Sequence, residues 1–182
     1  MNNIDLKDKI AVVTGGAQGF GLAIVERLLK SQAKILIWDK DKELMDSLDL
    51  GDNVKSIEVD VTNYKSVESA TKKSIEFFGG IDILVLNAGI FPKSEKVENI
   101  NFSDWSKVFN INLDANLFLL KHTFPFLKNA TLGGGNVVVV GSKNVSAPGP
   151  GAAAYSASKA ALNQLSRVTA LEWAQYNIKV NI

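Results

Sequence analysis

The sequence predicts an α/β fold, a doubly wound parallel sheet with helices on both faces. Three observations carry this. Short runs rich in Val and Ile alternate with stretches of helical periodicity throughout the 182 residues. Several of these runs are continuously apolar, the pattern of strands covered on two sides. The first run passes through a glycine-rich turn directly into an amphipathic helix, as in a βα unit.

In chain order, strands are expected at 10–13, 34–38, 54–59, 81–86, 137–140 and 179–182. Each is short and rich in β-branched residues, which suits a pleated, buried position. Helices are expected between them, at 19–31, 42–48, 65–78, 103–127 and 152–175. The fourth is apolar on most sides. Lys107, Asn110, Asp114 and Lys121 form one narrow polar stripe, which implies burial against more than one neighbour. Trp38, Trp105 and Trp173 are expected in the core, and His122, the sole histidine, is expected to serve packing. No repeat or linker divides the chain, so residues 1–182 read as one domain.

Composition removes several function classes. A net charge of +1 gives no reason to expect nucleic acid or an anionic membrane as partner. With no cysteine and one histidine, neither a disulfide framework nor a metal centre built on those ligands is expected. No apolar stretch approaches the length of a membrane span. Asp5 and Asp8 precede the first apolar run, unlike a signal peptide, so a cytoplasmic location is expected.

The first strand ends in Thr14-Gly15-Gly16-Ala17-Gln18-Gly19-Phe20-Gly21, and an apolar-periodic helix with Leu22, Ile24, Val25, Leu28 and Leu29 comes next. Glycines let a backbone approach a pyrophosphate closely, and a helix N-terminus offers free N–H groups and a favourable dipole. A glycine pattern alone is a weak signal, and the flanking strand and helix give it meaning. Asp39 then closes the second strand. A carboxylate there accepts both hydroxyls of an adenosine ribose and repels a 2′-phosphate.

Four valines at 137–140 read as a strand buried on both faces, with Ser142 just past its end. Pro148 and Pro150 force a turn before the last helix, which sets Tyr155 and Lys159 one turn apart on one face. An ammonium beside a phenol favours its ionised form, so the two make an acid/base pair. On their own they read equally as decoration of a helix surface. Asn112 falls among apolar residues of its helix, where an unpaired amide costs about 1–3 kcal/mol.

Thr14-Gly15-x-x-x-Gly19-x-Gly21, Asn87-Ala88-Gly89, Ser142 and Tyr155-x-x-x-Lys159 together resemble the short-chain dehydrogenase/reductase family, in its compact single-domain branch. The resemblance runs across essentially the whole chain. It implies a Rossmann-like domain and hydride transfer between a secondary alcohol, or its carbonyl, and a nicotinamide cofactor. It places Gly15, Gly19 and Gly21 at the cofactor phosphates, counts Gln18 and Phe20 among the cofactor-binding residues, and sets Asp39 at the adenosine ribose, favouring NAD over NADP. Gln18 stands where NADP-preferring relatives often carry a basic residue. Asp60 and Val61 would lie at the adenine, and Asn87, Ala88 and Gly89 beside the nicotinamide ribose. Tyr155 would exchange the proton, Ser142 would position the substrate oxygen, and Lys159 would assist the tyrosine and hold the ribose. Asn112 would hold a water that relays protons to Lys159; read from the residues alone, it is a structural amide or a relay member. No metal is needed. Relatives imply a homo-oligomer built through the helices at 103–127 and 152–175. A nucleotide-binding regulator without turnover is the competing class, and the intact Ser142, Tyr155 and Lys159 set argues against it.

In relatives the strand matching 179–182 runs on into a substrate-covering segment and a last strand. The fold is therefore expected to lack the last strand and the substrate lid. Lys143 and Asn144 either reach a polar substrate or belong to a surface loop. The stretch Gly141-Ser142-Lys143-Asn144 and the Pro148 to Tyr155 segment are similar to the dehydrogenase unit of bacterial bifunctional aldolase/dehydrogenases. That similarity implies a small hydroxyaldehyde or sugar-derived alcohol as substrate, with a hydroxy-lipid or other alcohol as the alternative.

Overall fold

The β-branched runs pair side by side in one sheet. In a computed structural model, which describes residues 4–131 and 133–182, six parallel strands lie in the order β3-β2-β1-β4-β5-β6. They are β1 (Ile10–Thr14), β2 (Lys34–Asp39), β3 (Val54–Glu58), β4 (Ile83–Leu86), β5 (Asn136–Val139) and β6 (Lys179–Asn181). The helices are α1 (Gly19–Lys30), α2 (Lys42–Asp46), α3 (Tyr64–Phe78), α4 (Phe102–Phe109), α5 (Ala115–Lys128) and α6 (Ala153–Trp173). Local chemistry sets several of their ends. The Asn63 side chain accepts from the Ser66 N–H at the start of α3, and Gly79 closes that helix in the left-handed region at φ +87°. This is a Rossmann-like fold.

Strand alternation divides the core in two. Val12, Leu36, Trp38, Leu84, Leu86 and Val139 face one side, where residues of α3, α5 and α6 cover them. Ala11, Val13, Ile35, Ile37 and Val85 face the other, beneath α1 and α2. No helix among the described residues is long and apolar enough to cross a membrane. The expectation drawn from the first nine residues falls partly outside the described ones.

Three expectations need correction. β5 is not buried on both faces. Val138 is in register with Val85, yet it is 41% exposed while Val85 is 3% exposed. The cluster beneath α1 and α2 extends only as far as β4 and Val140, leaving Val138 and its β6 neighbour Asn181 uncovered. The helix expected at 103–127 is not uniform either, because a π turn at Asn110–Asp114 joins α4 to α5. Only Trp38 of the three tryptophans is fully buried, its indole N–H donating to Ser74 Oγ at 3.1 Å. Trp105 is half-buried and stacked on Phe109, while Trp173, also half-buried, does pack against the core, tilted against Phe124. His122 does pack, edge-on to Tyr64 with ring centroids 4.4 Å apart. Burial holds its pKa below the ordinary histidine value, and its Nε2 has no hydrogen-bond partner among the described residues.

Asp82, a carboxylate inside an apolar run, is almost fully buried and knits the N-terminal edge of the sheet. Its Oδ2 accepts from the Ile10 N–H at 2.9 Å; its Oδ1 accepts from the Thr131 N–H at 2.9 Å and the Thr131 hydroxyl at 2.8 Å. Lys9 Nζ adds a bond to that hydroxyl at 2.6 Å. Removing a partner and leaving a buried N–H unpaired costs about 1–3 kcal/mol. Asp82→Ala is expected to lose about 3 kcal/mol of unfolding free energy in urea denaturation, and an unchanged midpoint would contradict this role.

Candidate active site

The parallel order brings the C-terminal ends of the strands to one edge. Between β1 and β4 the strand order reverses, opening the crevice in which folds of this kind bind ligands. Thr14 ties the two strands at that point. Its hydroxyl donates to Val85 O at 3.1 Å and accepts from the Asn87 and Ala88 N–H groups at 3.0 and 3.1 Å. Asn87 returns the tie, its amide donating to Thr14 O at 2.9 Å and Gly15 O at 3.0 Å. Asn87 therefore builds the glycine turn, a role that sequence reading did not assign to it.

A side chain at Gly21 would place its Cβ 1.9 Å from Gly15 O and 2.7 Å from Asn87 Nδ2, so α1 can dock on this knot only with glycine there. Gly19 differs. It sits at φ +56°, and a Cβ would meet nothing within 4 Å. The outer side of the turn is thus open, with Gln18, Gly19 and Phe20 all exposed. Gln18 makes no capping bond to the first turn of α1, so its side chain does not compete for that turn's N–H groups. An open glycine turn at the start of a twelve-residue helix fits a dinucleotide pyrophosphate.

Asp39 closes this cradle. Its Oδ2 accepts from the Ala17 N–H at 3.1 Å and its Oδ1 from the Asp41 N–H at 3.2 Å, which leaves each oxygen a lone pair for a ribose hydroxyl. The Val59 N–H donates to Asp39 O at 2.8 Å and so brings the end of β3 alongside. There Asp60 shapes the turn into α3, accepting from Thr62 N–H and Oγ1 at 2.9 and 2.7 Å, while Val61 packs against the core.

On the other side of the crevice the π turn aims Asn112 inward, 0% exposed. Its Oδ1 accepts from the Ile90 N–H at 2.8 Å; its Nδ2 donates to Ile90 O at 3.0 Å and Ser158 Oγ at 3.1 Å. Ser158 in turn donates to Tyr155 O at 2.8 Å. Both amide hydrogens are spent on these two partners. Its geometry is that of a clamp between the loop after β4 and the first turn of α6. The Asn112 carbonyl accepts from Asn116 Nδ2 at 2.8 Å, a second buried amide that the apolar periodicity concealed. Gly89 lies against the clamp, since a Cβ there would stand 3.1 Å from Asn112 Oδ1.

Lys159 is nearly enclosed, and burial lowers its pKa below the ordinary lysine value. Its Nζ donates to Val140 O at 2.8 Å and lies 6.0 Å from the centroid of the Tyr155 ring. Ser142, just beyond β5, accepts from the Asn144 N–H at 3.2 Å, which leaves its hydroxyl hydrogen free to donate. Asn144 reaches Ser156 Oγ at 3.5 Å, while Lys143 is exposed. Ser142 is therefore bracketed by two ties from β5 and its adjoining turn to α6. Phe91, unremarked in the sequence, lays its ring 4.6 Å from that of Tyr155. Among the described residues no group of carboxylates and histidine is placed to hold a metal.

Residues 9–182 match the family model for short chain dehydrogenase. This chain belongs to the short-chain dehydrogenase family. Over 181 residues it is 32% identical to dehydrogenase/reductase SDR family member 4 of Homo sapiens, using 97% of this chain and spanning 64% of that protein's length. It is 30% identical over 187 residues to 3beta-hydroxysteroid dehydrogenase 2 of Eggerthella lenta, covering 99% of this chain and 71% of that one. Among solved structures, a 3-ketoacyl-(acyl-carrier-protein) reductase from Brucella melitensis complexed with NADH superposes with a TM-score of 0.93 at 28% identity, covering 97% of this chain and 74% of that one.

The two glycines separate sterics from conformation. Gly21→Ala is expected to unseat the turn, with clear loss of thermal stability. Gly19→Ala is expected to cost only about 1–2 kcal/mol for its left-handed backbone. Equal losses in thermal denaturation would contradict the geometry. Lys159 gives a pH signature. Its folded pKa lies below 10.5, so between the two values the unfolded chain binds more protons than the folded one. Stability contributed by this group then rises with pH through that window. Relative to Lys159→Met, the unaltered protein is expected to gain stability as pH approaches 10.5, and a constant difference in urea denaturation would refute the assignment.

Proposed function

We propose that this chain catalyses reversible hydride transfer between a secondary alcohol, or the corresponding carbonyl, and a nicotinamide dinucleotide, with NAD preferred over NADP. One observation carries the reading. Tyr155 stands one helical turn from a buried lysine, on the helix to which the turn carrying Ser142, with its hydroxyl hydrogen unspent, is tied through Asn144. NAD, when bound, supplies the hydride acceptor. The glycine turn and the first amides of α1 hold its pyrophosphate, and Asp39 takes the adenosine ribose diol and repels a 2′-phosphate. NADH in the Brucella melitensis reductase supports a nicotinamide cofactor here.

In the oxidising direction Tyr155 Oη, as phenolate, takes the proton of the substrate hydroxyl. Ser142 donates to the substrate oxygen and stabilises negative charge on it. The Lys159 ammonium, enclosed and anchored on Val140 O, adds a positive charge close to the phenolate; in low dielectric such a charge acts strongly. Asn112 keeps the loop after β4 and the Tyr155 turn at a fixed separation. Phe102 on α4, Leu117 on α5, and Val168 and Leu171 on α6 expose apolar surface, which supports pairing of two copies through these helices.

Tyr155→Phe removes the proton acceptor without touching the glycine cradle. It is expected to lower kcat by roughly 10²–10⁴-fold while the Kd for NADH, read by fluorescence, stays within about threefold. Undiminished turnover would remove Tyr155 from the chemistry. Failure of the unaltered protein to bind NADH would overturn the whole reading.

A further inference from the structure

We infer that Phe91 determines substrate specificity, as a fixed apolar wall beside the phenol of Tyr155 that selects secondary alcohols and ketones bearing a ring or branched apolar substituent over polyhydroxylated ones. The inference rests on Tyr155 being the proton-transfer group.

Phe91 is 55% exposed, although a phenylalanine at that exposure leaves much of its apolar surface in water. One side of the ring meets the Tyr155 ring, centroids 4.6 Å apart and planes tilted by 49°. The remaining surface is free to meet a ligand.

The segment that carries Phe91 is pinned at both ends. Ile90, the residue before it, exchanges two hydrogen bonds with the buried Asn112 amide, at 2.8 and 3.0 Å. Pro92, the residue after it, disfavours the helical region for Phe91 and favours an extended backbone. Further on, the Glu95 N–H donates to Gly151 O at 3.0 Å, and Glu95 forms a parallel bridge with Ala152 at the entrance to α6. Gly151 is at φ +79°, and a Cβ there would press on Ser94 at 3.1 Å, so the two segments are in close contact.

The same Asn112 amide that holds Ile90 also holds Ser158, which bonds Tyr155 O. Phenol and phenyl are thus referenced to one anchor, and the wall keeps its position relative to the reacting oxygen. An apolar substituent on the carbinol carbon would bury against the phenyl ring. A hydroxylated one would lose hydration there, with no polar atom of the Phe91 side chain to replace it.

The test compares 1-phenylethanol, 2-propanol and glycerol as substrates of the unaltered protein and of Phe91→Ala and Phe91→Leu, with NAD. For Phe91→Ala, kcat/KM for 1-phenylethanol is expected to fall by roughly 10–200-fold, the scale of discrimination by an apolar pocket. The fall should lie mainly in KM. For 2-propanol the change is expected to stay within about threefold, and Phe91→Leu should recover part of the loss. An equal loss for 1-phenylethanol and 2-propanol, carried by kcat, would overturn the wall and leave Phe91 a support of Tyr155. A preference of the unaltered protein for glycerol over 1-phenylethanol would overturn it as well. Failure of the underlying reading is separately visible, as turnover that survives Tyr155→Phe whatever the selectivity of the Phe91 variants.

Discussion

A fully buried amide must satisfy its hydrogen bonds, and much of the site is arranged around that requirement at Asn112. A π turn inserts one residue into a helix and so rotates the downstream turns by roughly 100° relative to the upstream ones, given 3.6 residues per turn. Along the long helix Lys107, Asn110, Asp114 and Lys121 are all exposed, while Asn112, within the π turn, is buried. The amide then joins three pieces distant in sequence, namely the helix itself, the loop after β4 and the first turn of α6. No local interaction could hold those pieces together. Hydrogen bonds among buried groups are also directional, which apolar contact is not, so the clamp specifies a geometry as well as a distance.

The cofactor side of the crevice is built differently. There the constraint is steric, and the turn closes only because Gly21 leaves room for Gly15 O. Thr14 and Asn87 then lock the closed turn to β4. Backbone shape governs the half at the glycine turn, and side-chain bonding governs the half that carries Tyr155. They meet at the segment from Asn87 to Ile90, where adjacent residues serve one and then the other.

Much of this was legible in the sequence, for physical reasons. Alternating apolar runs marked all six strands, because a strand buried in a parallel sheet has few other compositions open to it. The glycine turn and Asp39 were readable because their neighbours, a strand and a helix, are local. The features that escaped were non-local. Asp82 bonds residues 49 and 72 positions away, and in the sequence it is only an acid interrupting an apolar run. The π turn escaped because it is a change of backbone hydrogen bonding that no residue type announces. Val138 looked like its three valine neighbours, since whether a strand face is covered depends on where the rest of the chain packs. Asn112 stood out as a polar residue on an apolar face. Its partners did not, because the Ile90 backbone and a serine 46 positions away in α6 carry no signature of their own.

The uneven cover of the sheet divides its dynamics. β1, β2 and β4 lie inside the sheet with nearly every residue buried, whereas β3 lies beyond β2 with one buried residue of five. Backbone amides of the inner strands are expected to open only with near-global unfolding, and those of β3 through smaller, cheaper fluctuations. The glycine turn hangs from β1 and the Asp60 turn from β3. Protection against hydrogen exchange is therefore expected to fall along the cradle, from the glycine turn outward to Asp60.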